Sequence, residues 1–291
     1  MPNPLIPHLN GRVLSVDIAL KNPTMIRDRI AHLADAQLLM PKFFKSLGAP
    51  VEGGGILYSV AKASDLYATG VEKRSPGAEY AVVDGVQPEP KRAVVEDWGG
   101  RFQVLDEHKD RNDVSYVDNQ TTQLANSVVA KVDAAAMAAV LDANVDSIAV
   151  TAPWDTAILD GATPTSPTDR PTASLAQALE AFEVDALGMV PDTLLVAPSE
   201  ARVLRTLYGK DLGSVLESFG LDLVSNARLT AGSAYVMQAG EVGSVGFEKP
   251  LTVEVYDERA TRSQWVQTFC VPAFAVEKPH AAKRLTALAT P

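Results

Sequence analysis

Four histidines stand at His8, His32, His108 and His280. Imidazole is the side chain best suited to proton transfer near neutral pH or to binding zinc. No two of the four are spaced to share a metal, and no His-Glu-x-x-His run occurs. His8 and His280 lie near the chain ends, where a solvated side chain is expected. A single cysteine, Cys270, excludes an internal disulfide and a cysteine-based zinc cage. It sits in the apolar run TFCVPAFAV, so a buried, unreactive thiol is expected. No Gly-x-Ser-x-Gly elbow is present. The stretch from Gly209 to Gly213 lacks the preceding glycine and the Lys-Ser/Thr pair of a phosphate loop. The stretch from Gly240 to Gly246 has the glycine density of a phosphate-binding turn, but no helix start follows; it reads as a flexible hairpin. Glu96-Asp97 and Asp257-Glu258 are adjacent, so in a strand their side chains point to opposite faces and are solvated. The sequence thus assigns no catalytic, cofactor-binding or metal-binding residue, and the expectation is a protein that is not an enzyme and takes no cofactor.

Composition narrows the class further. The formal net charge of −10 argues against a protein that reads or coats nucleic acid through clustered Lys and Arg. An acidic wall can still surround nucleic acid without gripping it. The apolar and charged fractions, 46% and 21%, are those of a folded soluble chain. No unbroken apolar run reaches the roughly 20 residues needed to cross a bilayer, and the N-terminus does not read as a secretory signal.

The elements are organised around residues 112–143, which hold neither Pro nor Gly. Val117, Leu124, Val128, Val132, Ala135 and Ala139 recur at steps of seven, four, four, three and four, one apolar stripe at helical period. Asn112 or Asp113 can cap this rod, which would span roughly 45 Å. Before it come Pro2, Pro4, Pro7 and Pro23 in an extended segment. A short amphipathic helix then carries Met25, Ile26, Ile30, Leu33, Leu38 and Leu39 and stops at Pro41. Strands are expected over 56–60, 93–98 and 99–105, with a polar excursion over 61–92 that needs neighbouring chains to stabilise it. After the rod, 145–170 reads as a loop and 172–187 as a helix. A buried strand at 193–197 and a helix at 198–207 follow, then a short helix at 214–219. The stretches 221–224, 233–238 and 242–247 read as short strands or loops, and 251–256 and 264–276 as strands.

This order of elements is similar to the major capsid proteins of tailed phages, the Hong Kong 97-type fold. The resemblance is carried by DALGMVPDTLLVAPSEARVL from Asp185, by Gly243 to Leu285, and by RNDVSYVDNQTTQLANSVVAKVDAAAMAAVL from Arg111. The last is similar to forms in phages of actinobacteria. The resemblance implies an α+β chain with an N-terminal arm (1–40) and an extended E-loop with its base (41–106). It further implies a peripheral-domain spine helix (107–144), an axial domain (145–249) whose 226–247 segment points to the capsomer centre, and peripheral return strands (250–291).

The implied function is a major capsid protein whose hexamers and pentamers form an icosahedral shell around double-stranded DNA. Arm and E-loop would cross between subunits. The chain shows no helical, charged segment ahead of the arm and begins at Met1, which points to a separate scaffolding protein. A portal and a decoration protein complete the implied partners; there is no membrane, and no sequence-specific DNA contact. The implied location is the virion, after assembly in the host cytoplasm. Some members crosslink subunits through Lys and Asn. Lys62 and Lys73 match no such motif, so no crosslink is expected. The alternative is an encapsulin-like compartment holding a cargo enzyme, which the proline-rich arm disfavours.

Overall fold

The computed structural model describes residues 38–60, 71–83 and 88–290, together with residues 8, 9, 12, 13, 16, 20, 24, 26, 28 and 62. In chain order the elements are β1 (His8–Leu9), β2 (Arg12–Val13), α1 (Met40–Phe43), β3 (Phe44–Ser46), β4 (Gly55–Ser59), β5 (Pro90–Val94), β6 (Trp98–Leu105), α2 (Asp106–Asp110) and α3 (Val114–Asp142). There follow β7 (Ser147–Ala149), α4 (Pro171–Asp185), β8 (Thr193–Val196), α5 (Pro198–Tyr208), α6 (Leu212–Ser218), β9 (Asp222–Ser225), β10 (Ser233–Met237), β11 (Gly243–Glu258), β12 (Ser263–Ala275) and β13 (Ala282–Thr286).

The long rod is α3. Asp113 is its cap, accepting the Tyr116 amide N–H at 3.2 Å and so satisfying one of the orphan donors of the first turn. Its upper half buries Val117, Val128 and Val132 as the stripe requires, with Leu124 half-buried and Ala125 beside it buried instead. Its lower half buries Ala136 and Val140, while Ala135 and Ala139 are only half-buried. The expected stripe is therefore corrected by one residue. Steps of four from Val132 turn the helix toward Leu39, Phe43, Leu195 and Tyr235. Ala135 and Ala139 border an open groove of about 420 Å³ beside Ala93, Trp98 and Phe274.

One sheet has the order β3-β11-β12-β6. Its inner face, with Phe102, Val104, Val253 and Val266, packs on Val117 and Ala125 of α3. Val16, Leu20 and Ile26 are buried in the same cluster, so this part of the expected arm lies on its own chain. The helix expected up to Pro41 is not seen at Leu38 and Leu39; Pro41 instead lies in the first turn of α1, where its missing N–H costs nothing. Met25, Ile30 and Leu33 lie outside the described residues. The two strands expected over 242–256 are one, β11, broken by register shifts between Phe247 and Thr252 around Pro250.

The other sheet has the order β7-β13-β10-β8-β9 and carries α4, α5 and α6. Its core holds Trp154, Leu175, Phe182, Leu194, Val196, Leu204, Val236 and Leu285. The stretch 145–170, expected as loop, contributes β7. The tail divides between layers, because β13 pairs with β10 and β7 and not with β11 or β12. The stretch 233–238, read as a short strand or loop, holds β10, buried at every residue at the middle of this sheet, and 240–246, expected as a flexible hairpin, runs into the start of β11.

Candidate assembly surfaces

The residues that sequence singled out for chemistry are scattered. Cys270 is buried beside Val128 and Val132, and burial pushes its thiol up to about 11. The His108 ring stacks face to face on Tyr116 at 4.2 Å and lies 3.6 Å from the Asp113 carboxylate, so it buttresses the start of α3. His280 sits in a short turn before β13; His32 and the side chain of His8 lie outside the described residues. Glu96 accepts the indole N–H of Trp98 at 3.1 Å, while Asp257 is held by Arg259 at 2.8 Å and Gln264 at 2.7 Å. Gly209 opens a single 3-10 turn between α5 and α6. Among the described residues, no three His, Cys, Asp or Glu side chains gather to hold a metal. A trough of about 570 Å³ lies on the outer face of the first sheet between Asp97, Arg101, Lys249, Glu254 and Phe269. Its lining contains no histidine or cysteine.

Three buried polar joints escaped the sequence reading. Asp133, on the inner face of α3, accepts from the backbone of Leu39 and Met40 and from Arg228. Lys283 in β13 pairs with Asp146 and Asp185. Glu200 in α5 accepts the Gly232 amide at 2.7 Å and the Ser199 hydroxyl at 2.6 Å. Each joins segments distant in sequence, which no local spacing encodes.

The exposed surface is more informative. β4 and β5 form an antiparallel ribbon whose base, with Ile56, Tyr58 and Ala93, rests on Ala273 and Ala275 of β12. Beyond it, residues 71–83 follow an open course with one turn at 75–78, and Arg74 stacks over Tyr80 at 4.7 Å. Along this ribbon and excursion Leu57, Val71, Tyr80 and Val82 are 76–90% exposed. Large apolar side chains in such number on one projection mark a surface that another molecule covers. α3 is long and apolar enough to span a bilayer by length and composition. Here its apolar face packs on β6 and β12, as in the core helix of a soluble protein.

A model of the phage capsid protein family matches residues 61–285. The chain belongs to the phage capsid protein family. No curated protein matches it. Solved structures similar in fold include a virus-like particle from Pyrococcus furiosus, with TM-score 0.63, 14% identity, and 89% of this chain and 97% of that one covered. A structure from Mycobacterium phage Bobi gives TM-score 0.61 at 13% identity, covering 86% and 90%. The capsid of Cyanophage P-SCSP1u gives 0.61 at 14%, covering 87% and 89%. The fold is the Hong Kong 97 type, mixed helix and sheet. As a major capsid protein the chain has a structural role: copies associate into a shell, and its place is the virion.

Proposed function

We propose that copies of this chain form hexamers and pentamers that close an icosahedral shell around double-stranded DNA. The observation that carries this is the excursion between β4 and β5, which leaves Tyr80 and Val82 exposed in one chain. Covering it requires a neighbouring copy, and a stable contact of that kind buries on the order of 1,600 Å². In this reading residues 1–40 are the arm, 41–106 the E-loop and its base, and 107–144 the spine of the peripheral domain. Residues 145–249 are the axial domain and 250–291 the peripheral return, with β13 lent to the axial sheet. Residues 1–15 of the arm, in this reading, reach a neighbour. A separate scaffolding protein and a portal take part in assembly in the host cytoplasm. The net charge of −10 keeps the wall from adhering to the DNA within.

Electron microscopy of the expressed chain tests this reading. Closed particles are expected from the full chain and none from a chain lacking residues 64–90, whose axial sheet stays folded. Intact shells from the deletion, or particles filled with a cargo enzyme in place of DNA, overturn it.

A further inference from the structure

Asp133 is 2% exposed, and a buried carboxylate is costly unless its oxygens are fully used. Both oxygens lie 3.1 Å from the Leu39 amide, and Oδ1 also accepts the Met40 amide at 3.1 Å. Oδ2 takes the Arg228 guanidinium at 2.7 Å. Arg228 stands in the turn after β9, where the Asn226 amide donates to Val196 of β8. One carboxylate on the spine therefore holds the root of the arm on one side and the five-stranded sheet on the other.

The segment it grips is a wedge. Phe43 meets Tyr235 of β10 edge-on at 5.3 Å, and Phe44 meets Phe274 of β12 at 5.3 Å. Lys42 accepts the Gly240 amide at 2.8 Å, and β3 pairs parallel with β11. Residues 39–46 thus touch both sheets. Apolar contacts alone are non-directional and allow the layers to slide. Charge-assisted hydrogen bonds fix direction as well as distance. A closed shell of one size repeats the same angle between layers in every copy, so a small error accumulates around it.

We propose that Asp133 is a positioning residue for shell assembly. By holding Leu39, Met40 and Arg228 together it fixes the arm root against both sheets and sets the angle between them. The proposal rests on the shell reading above, and the experiment separates the two. Replacing both Asp133→Leu and Arg228→Leu removes the pair without stranding one buried charge. The double variant is expected to fold, with amide exchange at Leu39 and Met40 faster by on the order of ten-fold or more and β8 and β10 unchanged. Its particles, sized by electron microscopy, are expected to spread in diameter or stay open. A single wild-type diameter overturns the proposal, even with a lower melting temperature, because a merely structural pair would change stability alone. If the double variant does not fold, Asp133→Asn keeps an acceptor for the Leu39 and Met40 amides but loses the charge that holds Arg228, and a single wild-type diameter there overturns the role given to the Arg228 tie. A chain lacking residues 1–15 is run beside them. If it builds wild-type shells the arm's reach to neighbours is wrong, while the diameters of the Asp133 variants still decide the proposal.

Discussion

Lys283 donates its buried ammonium to the Asp185 carboxylate, tying an inner strand, β13, to the last residue of α4. A carboxylate at a helix C-terminus faces the negative end of the helix dipole, so the ammonium offsets an unfavourable placement. Asp146, just before β7, is its second partner, and the Phe182 ring lies 5.6 Å from the same nitrogen.

Burial alone would lower the Lys283 ammonium; the hydrogen bonds and charges of Asp146 and Asp185 outweigh it and hold the group above its ordinary value. A raised value means that the contribution to stability is complete below the unfolded lysine value near 10.4 and fades as pH rises through the folded one. Lys283→Met is expected to cost about 1–3 kcal/mol, the worth of hydrogen bonds to a charged group. Denaturant unfolding of both forms checks this: the gap between them stays constant from neutral pH to about 10 and narrows above it.

The Cys270 thiol, pushed up to about 11 by burial, is almost wholly protonated near neutral pH. Native protein is expected to resist alkylation at mild alkaline pH and to take up one label per chain on unfolding. Mass spectrometry after timed labelling reads both. Rapid labelling of the native chain would contradict the packing described for Val128, Val132 and Cys270.

Gly243 opens β11 where that strand runs between β3 and β12. A β-carbon added there would drive into the Ala275 carbonyl, with Phe44 and Val276 close behind. These are backbone and core atoms with no room to yield, so Gly243→Ala is expected to destabilise by about 1–3 kcal/mol. Thermal unfolding of the isolated subunit measures it.

Lys73 is exposed on the excursion and Lys62 is exposed near its start, yet neither lies in a crosslinking motif. Purified shells boiled in detergent are expected to run as a single monomer band on a denaturing gel. A ladder of multimers would show that a covalent bond forms after assembly.

The rod from 114 to 142 and its Asp113 cap were legible because both follow from local spacing and a short polar side chain at the right place. β8 and α5 were legible for the same reason, a short apolar run followed by proline at a helix start. β7 and β13 were not. Each is short, and they pair in parallel across more than a hundred residues, Arg284 opposite Ser147, so no neighbouring pattern announces them. The exchange of Ala135 and Ala139 for Ala136 and Val140 has a related cause: in an alanine-rich turn every position suits the core, and the partner layer chooses the face. Asp133, Glu200 and Lys283 carry no local signal, since only the fold buries them and brings them their partners.

β13 is laid between β7 and β10, and it comes from residues 282–286 of a 291-residue chain. The Val150 and Trp154 amides also wait for the carbonyls of Thr286 and Leu288. The five-stranded sheet therefore stays open until residues 282–286 are in place. A subunit whose β13 has not docked leaves the edges of β7 and β10 bare and has no finished face to offer a neighbour.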